Sequence, residues 1–196
     1  MRSSGCGPGE ATLSGPPAGF ASAKDARLPS AAVATATRVP GDIELDALTS
    51  EPRTLGEWLT TFHLVVAVID PYTNESAWLL GTMGRVLETF RGADCRVAWL
   101  VTAGPEDAAR FLGPWSKELL TLVDKDRTVV KALGLDELPA LVHISQDLTV
   151  LGVAQGWQPA EWQDVTDRLG RLMSWSKPVL PAPGDPGPFR GSPATG

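Results

Sequence analysis

The stretch HLVVAVIDPYTNES, residues 63–76, carries the strongest fold signal in this chain. Its first seven residues form an almost unbroken apolar run, which predicts a central strand covered on both faces. The polar turn after this run leads into a segment in which apolar residues recur at helical spacing: Leu80, Met83, Leu87 and Phe90. The stretch therefore predicts a buried strand, a tight turn and an amphipathic helix in direct succession.

Strand and helix signals continue to alternate on both sides of this stretch. Strands are predicted at 43–48, 63–69, 95–101, 121–124, 141–145 and 148–153, the last two forming a hairpin around Gln146-Asp147. Helical patterns start near Leu55, after Ser76, at Pro105, at Val129 and at Pro159. This order predicts an α/β fold in which helices flank a central mixed sheet.

The two ends of the chain differ in composition from its middle. Residues 1–37 are rich in Gly, Pro, Ser and Ala, and residues 176–196 contain six prolines, five of them between positions 178 and 188. Such segments bury too little apolar surface to offset the entropy lost on ordering. We therefore predict a folded domain at 38–175 between disordered N-terminal and C-terminal tails.

Composition and charge exclude several classes of function. With 43% hydrophobic and 20% charged residues the chain is typical of a globular protein. The net charge of −6, without any cluster of Lys and Arg, argues against binding to nucleic acid. No apolar run approaches the roughly 18 residues that a membrane span needs. We expect neither a nucleic-acid partner nor a membrane.

Cysteine and histidine are scarce. The only cysteines are Cys6 and Cys95, and the only histidines are His63 and His143, so we expect no disulfide framework, no metal site and no cofactor. The first residues lack the apolar core of a secretory signal, which favours a cytoplasmic protein. The excess of Arg over Lys, with abundant Ala, Gly and Pro, is typical of a GC-rich bacterial genome.

The order of elements resembles the thioredoxin superfamily, in its TlpA-like and peroxiredoxin-like (AhpC/TSA) branch. Three places carry the resemblance: the strand–turn–helix with a four-residue slot at 73–76, the Leu138-Pro139 pair before a strand, and the pattern over 123–156. The resemblance spans about residues 39–175. It implies that Pro139 stands in the family's cis-proline loop, where the preceding residue offers backbone groups to a peptide or thiol ligand.

The slot departs from the family in its sulfur chemistry. Thr73 stands where the attacking cysteine of a Cys-x-x-Cys pair belongs, and Ser76 stands at the position of the resolving or peroxidatic cysteine. Tyr72 replaces a tryptophan, and Ala67 replaces a buried acid. A hydroxyl stays protonated and forms no disulfide, whereas a thiol at a helix N-terminus ionises readily. Redox catalysis through this slot is therefore not expected.

The leading hypothesis is a redox-inactive binding or scaffolding module, with a protein partner in the groove of the family. The groove residues are Tyr72, Thr73, Ser76, Leu138 and Pro139. A simpler interpretation is that Thr73 and Ser76 only cap the helix that follows them.

Two alternatives involve thiols. The chain could bind or transfer a low-molecular-weight thiol, held by the hydroxyls of Tyr72, Thr73 and Ser76. It could also be a thiol reductase or peroxidase that works through Cys95. The second is disfavoured because Cys95 begins a strand parallel to 63–69, about 20 Å from the slot. We expect Cys95 to be a small buried apolar residue, and His63 and His143 to find local hydrogen-bond partners.

Overall fold

A computed structural model describes residues 37–195. Its strands are Glu44–Ala47 (β1), Arg53–Thr54 (β2), His63–Ile69 (β3), Cys95–Val101 (β4), Leu120–Val123 (β5), Glu137–Leu138 (β6), Ala140–Ile144 (β7), Val150–Gln155 (β8) and Ser192–Pro193 (β9). Its helices are Leu55–Leu59 (α1), Asn74–Phe90 (α2), Pro105–Leu112 (α3), Trp115–Glu118 (α4), Thr128–Ala132 (α5) and Pro159–Met173 (α6).

Seven strands form one mixed sheet in the order β2-β1-β5-β4-β3-β7-β8. Strands β3, β4 and β5 are parallel, β7 is antiparallel to β3, and β8 is antiparallel to β7. This confirms the predicted α/β fold with a central mixed sheet. Because β3, β4 and β5 point the same way, their carboxyl ends meet at one edge of the sheet.

Strand β3 is buried on both faces, as its apolar run predicts. Val65, Ala67 and Ile69 pack with the buried faces of α2, α3 and α6. The alternate residues, Leu64, Val66 and Val68, pack with α1 and α5 on the other side. Period-two alternation thus divides one strand between two apolar layers, which makes a three-layer α/β arrangement.

The predicted hairpin and the last predicted helix are both confirmed. Strands β7 and β8 are antiparallel neighbours, with a register irregularity at His143/Ile144. Helix α6 has Pro159 in its first turn, and its buried face consists of Trp162, Val165, Thr166, Leu169 and Gly170. Leu172, near the end of the helix, is exposed.

The predicted C-terminal tail is wrong for the residues that the structure describes. Residues 177–195, called the strap below, lie against the domain. Leu180 is buried, the Asp185 carboxylate pairs with Arg85, and Phe189 forms a two-way backbone bridge with Trp157. Strand β9 then pairs with β6. Polar and backbone contacts hold this segment in place, and such contacts cannot be predicted from the proline content of a sequence.

The predicted N-terminal tail, 1–37, lies outside the described residues except for Thr37, whose carbonyl accepts a hydrogen bond from Val150 N–H. Among residues 37–195 no helix combines the length and apolar character required to cross a bilayer.

Candidate functional site

The slot lies at the carboxyl end of β3, where the chain turns into α2. Thr73 is the N-cap residue of α2, but its side chain makes no capping hydrogen bond. Instead the Thr73 hydroxyl donates to the Asp70 carbonyl oxygen at 3.0 Å and lies 3.0 Å from Ser76 Oγ. Thr73 therefore occupies the cap position, but the predicted capping by the Thr73 and Ser76 side chains is wrong, because both hydroxyls bond within the turn.

Ser76 is fully buried in this turn. Its Oγ accepts a hydrogen bond from the Asp70 backbone N–H at 3.0 Å. Since the Thr73 proton is directed to the Asp70 carbonyl, the Ser76 proton is left to complete the contact with Thr73. Neither hydroxyl faces solvent with a free proton, so neither is set up to meet a ligand.

Asp70 and Arg127 form a buried ion pair beside the slot that the sequence analysis did not identify. Asp70 Oδ2 lies 2.7 Å from the Arg127 guanidinium, and Asp70 Oδ1 accepts the Tyr72 N–H at 3.0 Å. The side chains are 7% and 19% exposed, so the pair is largely desolvated. Arg127 adopts a left-handed backbone at the start of α5. The pair joins the turn after β3 to the start of α5.

Tyr72 is the exposed member of the site, with 67% of its surface accessible. Its phenol donates to Asp107 Oδ2 at 2.6 Å. This hydrogen bond raises the pKa of Tyr72, because it is made by the protonated form. The proton that could stabilise a bound thiolate is thus directed to Asp107, while the ring stays accessible.

Leu138 and Pro139 lie beside the carboxyl end of β3, because Ala140 pairs with Val68 in the sheet. The Leu138-Pro139 peptide bond is cis. Both side chains are buried, and the Pro139 carbonyl accepts the Gly156 N–H at 2.9 Å. The strap covers this position, since Leu138 pairs with Ser192. The predicted groove is therefore filled by the chain's own residues at its proline end.

An open cleft of about 560 Å³ lies next to Tyr72, at the carboxyl ends of β3, β4 and β5. Its lining consists of Tyr72, Thr102, Ala103, Gly104, Pro105, Glu106, Asp107, Lys125 and Arg127. The lining mixes two cationic side chains with two acidic ones. Of the five predicted groove residues, Tyr72 alone contributes to this lining.

Cys95 lies at the opposite edge of the sheet. It pairs in register with His63, the first residue of β3, so a full seven-residue strand separates it from the slot, about 20 Å. The thiol is buried, and desolvation raises the pKa of Cys95 to about 11. This placement agrees with the predicted apolar role and argues against thiolate chemistry at Cys95.

The two histidines contact each other across β3 and β7. His63 Nδ1 lies 3.1 Å from His143 Nε2, which confirms the expected local partners for those nitrogens. His143 is fully buried and its Nδ1 has no hydrogen-bond partner among the described residues. Burial, and then the neighbouring His63 and Arg168, lower the pKa of His143 to about 4. The pair is neutral at pH 7 and lies at the amino end of β3, away from the slot.

The chemistry available at the slot is limited. Its hydroxyls, its ion pair and the Tyr72 phenol all have internal partners. Within residues 37–195, no three His, Cys, Asp or Glu side chains gather in a way that could hold a metal ion. The features open to a ligand are the exposed Tyr72 ring and the cleft beside it.

Comparison with known proteins gives similarity in structure alone. No family model matches the sequence, and no curated protein matches it closely enough to be informative. The structure is similar to a protein assigned as a thiol:disulfide interchange protein DsbE from Chlorobium tepidum, with a TM-score of 0.59 and 15% identity over 70% of this chain and 96% of that one.

Two further solved structures agree with this likeness. A secreted Mycobacterium tuberculosis disulfide oxidoreductase homologous to DsbE has a TM-score of 0.52 and 14% identity, over 67% of this chain and 96% of its own. Peroxiredoxin Q of Xanthomonas campestris has a TM-score of 0.54 and 14% identity, over 69% and 94%. These neighbours are thiol-disulfide oxidoreductases and a peroxiredoxin by name. The chain thus has the thioredoxin-like fold, of the kind found in DsbE-type proteins and peroxiredoxin Q.

Proposed function

We propose that this chain is a binding module on a thioredoxin-like fold that works without thiol chemistry of its own at the slot. The observation that carries the proposal is the state of Ser76, whose oxygen is fully buried and accepts the Asp70 N–H. A side chain used in this way holds the turn together and is unavailable as a nucleophile. The thiol of Cys95 is remote and buried, which supports the same conclusion.

The proposed recognition surface is the Tyr72 side of the site. Tyr72 projects an accessible ring beside the cleft, and aromatic side chains of this kind supply much of the binding energy at protein interfaces. Trp78, on the first turns of α2, is 59% exposed and packs edge-to-face on Phe189 of the strap. Tyr72 and Trp78 thus each present an accessible aromatic ring, a residue type suited to a protein partner.

Catalysis is tested with the full-length chain. We expect no reduction of insulin disulfides and no peroxide consumption beyond the rate of a Cys6→Ser/Cys95→Ser variant. As a matched control, Thr73→Cys/Ser76→Cys places two thiols where the hydroxyls lie 3.0 Å apart, and it should form a disulfide detectable by mass. Turnover by the native chain that disappears in the cysteine-free variant would overturn the proposal.

Binding is tested by site-specific crosslinking in the cell of origin. A photoreactive phenylalanine replaces Tyr72 in one variant and Phe62 in another. Phe62 is also exposed, at 40%, but precedes β3 at the opposite edge of the sheet. We expect a protein adduct from position 72 and none from position 62. Equal crosslinking at both positions, or none at position 72, would refute the proposed surface.

A small thiol is the second candidate, favoured by the cleft itself. A volume of about 560 Å³ falls within the range of roughly 300–1,000 Å³ that is usual for small-ligand sites. Lys125 in the lining supplies a cation for the carboxylates of glutathione or bacillithiol. Glutathione, mycothiol or bacillithiol at a hundred times its dissociation constant should stabilise the fold by about 2.7 kcal/mol. A thermal shift that is lost in Tyr72→Ala and kept in Phe62→Ala would establish this function, and no shift with any thiol would exclude it.

A further inference from the structure

The strap fills an edge that would otherwise be free. Strand β6, Glu137–Leu138, forms a separate two-stranded sheet with β9, Ser192–Pro193, and among the described residues β9 is its only strand partner. An unpaired strand edge presents N–H and C=O groups that readily accept another extended chain. In this molecule the extended chain is its own residues 190–195, called the strap tip below.

Side chains as well as backbone groups of the β6 edge contact the strap tip. The Glu137 carboxylate pairs with the Arg190 guanidinium at 2.6 Å and accepts the Gly191 N–H at 2.9 Å. These hydrogen bonds, that from Arg190 first, hold the pKa of Glu137 below its usual range. The Ser192 hydroxyl donates to the Leu138 carbonyl at 3.2 Å. The Glu137 carboxylate therefore favours a basic side chain at position 190 and accepts the N–H of residue 191. The Leu138 carbonyl favours a hydroxyl at position 192.

Two positions of the strap tip accept only small residues. A Cβ atom on Gly191 would lie 2.6 Å from the Leu138 carbonyl oxygen and 2.8 Å from Glu137 Cβ, closer than such atoms approach. Ala194 is fully buried, and its N–H donates to the Asp136 carbonyl at 2.8 Å. The edge is thus complementary to the pattern Arg-Gly-Ser-x-Ala in an extended chain.

The strap tip is held mainly by polar contacts, among which the Arg127 guanidinium donates to the Ala194 carbonyl oxygen at 2.5 Å. The earlier part is anchored by buried Leu180, by the Asp185–Arg85 ion pair and by the two-way bridge of Phe189 to Trp157. In the tip, Ala194 alone is buried, and the Arg190 side chain is 87% exposed. Segments with few buried apolar groups open at lower free energy than the core, so the tip can open while the anchors stay in place.

We infer that the strap tip is a built-in competitor that closes the β6 edge, and that a protein partner presenting an extended Arg-Gly-Ser-x-Ala segment displaces it. The inference rests on the proposed binding function and specifies the regulation and partner of the proline end of the same site. The tip is tethered beside the edge at an effective concentration in the millimolar range, so a partner segment binds only in proportion to the open fraction.

The experiment uses a fluorescein-labelled peptide of residues 186–195 and the full-length chain. In the Gly191→Val variant the added side chain blocks the tip in cis while the edge stays unchanged. We expect this variant to bind the native-sequence peptide at least tenfold more tightly than the wild type does, measured by fluorescence anisotropy. The same peptide carrying Gly191→Val should not bind either protein.

Equal affinity of the two proteins, no binding to the variant, or equal binding of both peptides would overturn the inference. A second measurement, on the wild-type chain, tests the inference even if the Gly191→Val variant does not fold. In NMR spectra of the ¹⁵N-labelled wild-type chain, millimolar unlabelled peptide should shift the amide signals of Gly191 and Ala194 toward the values of an unfolded, solvent-exposed segment. Unchanged signals would also overturn the inference. Crosslinking from position 72 reports on the proposed function separately, because Tyr72 is not part of the β6 edge.

Discussion

Ser76 shows how a single oxygen can hold a turn together where the fold's relatives by structure are named for thiol chemistry. The Asp70 N–H points at Ser76 Oγ, and the Asp70 carbonyl receives the Thr73 hydroxyl, so both backbone groups of Asp70 have partners inside the turn. The Asp70 carboxylate meanwhile pairs with Arg127. Asp70, Thr73 and Ser76 thus satisfy one another's hydrogen bonds.

Replacing Ser76 tests this role. We expect Ser76→Ala to lower the free energy of unfolding by about 1–3 kcal/mol, because the buried Asp70 N–H loses its acceptor. Urea denaturation followed by circular dichroism measures the change. Asn74→Ala, at an exposed position two residues earlier in the same turn, should change stability by less than about 0.5 kcal/mol. Equal effects of the two substitutions would contradict the structural role of Ser76.

At the residue scale the sequence locates part of the site and misses its ion pair. The positions of Tyr72, Thr73 and Ser76 follow from a local pattern, since a strand, a turn and a helix are adjacent in the chain. The Asp70–Arg127 pair joins residues 57 apart in sequence, and no local periodicity relates them. Pairings of that kind depend on how β3 and α5 come together in space.

Two glycines of helix α2 behave differently because their surroundings differ. Gly84 faces the ring of Trp115, which a Cβ atom would overlap, whereas Gly81 has no neighbour within 4 Å. The Trp115 ring also stacks on buried Trp99, with ring centres 5.7 Å apart, so it has little freedom to move. The sequence places both glycines in the helix but does not indicate which one has no room for a side chain.

We expect opposite effects of alanine at these positions. Gly81→Ala should stabilise the fold by about 0.5–1 kcal/mol, because alanine has the higher helix propensity. Gly84→Ala should destabilise it by about 1–3 kcal/mol through overpacking against Trp115. Thermal or urea unfolding of both variants provides the measurement. The packing argument fails if Gly84→Ala is as stable as Gly81→Ala.

The His63–His143 contact between β3 and β7 makes the stability of the fold depend on pH. The folded pKa of His143, about 4, lies below its ordinary value of 6.5, so the folded state resists protonation. The contribution of His143 to the free energy of unfolding is therefore fully present above pH 6.5. It is lost as the pH drops toward 4, by up to about 3 kcal/mol. Burial also lowers the pKa of His63, which adds to the loss in the same direction.

The check is a series of urea denaturation curves between pH 7.5 and pH 4. The wild type should lose stability over this window, and His143→Gln should lose much less, because the strongly shifted group is gone. Arg168 and Asp147 also face the histidines. The Ser145 hydrogen bond holds the pKa of Asp147 below its ordinary value, so the charge of this carboxylate does not change over the window. The same pH slope in both proteins would contradict the assignment to His143.

For the molecule as a whole, periodicity predicts the layers but not the strap. The seven-stranded sheet and its helices follow from apolar runs long enough to show a period of 2 or 3.6. In the strap only Leu180 and Ala194 are buried, and most of the other contacts come from backbone groups and from polar side chains such as Asp185 and Arg190. A proline-rich segment held mainly by hydrogen bonds has the same composition as a disordered one, so its order is not visible in the sequence.

Cys95 should act as a reporter of global unfolding. In a Cys6→Ser variant at pH 8, we expect iodoacetamide to label Cys95 roughly a hundredfold or more slowly in the native state than in urea. The reason is that burial holds the pKa of Cys95 at about 11 and leaves little thiolate. Mass spectrometry of timed samples gives both rates. Similar rates in the two states would show a reactive thiol and reopen redox chemistry at Cys95.

The position of the strap in the chain has a consequence for synthesis. The ribosome makes β6, Trp157 and α6 before it makes the residues that cover them. At about 5–20 residues per second, the strap takes roughly one to four seconds to translate after α6 is complete. During that interval the nascent domain carries a bare strand edge, which is when chaperones or a neighbouring nascent chain could engage it.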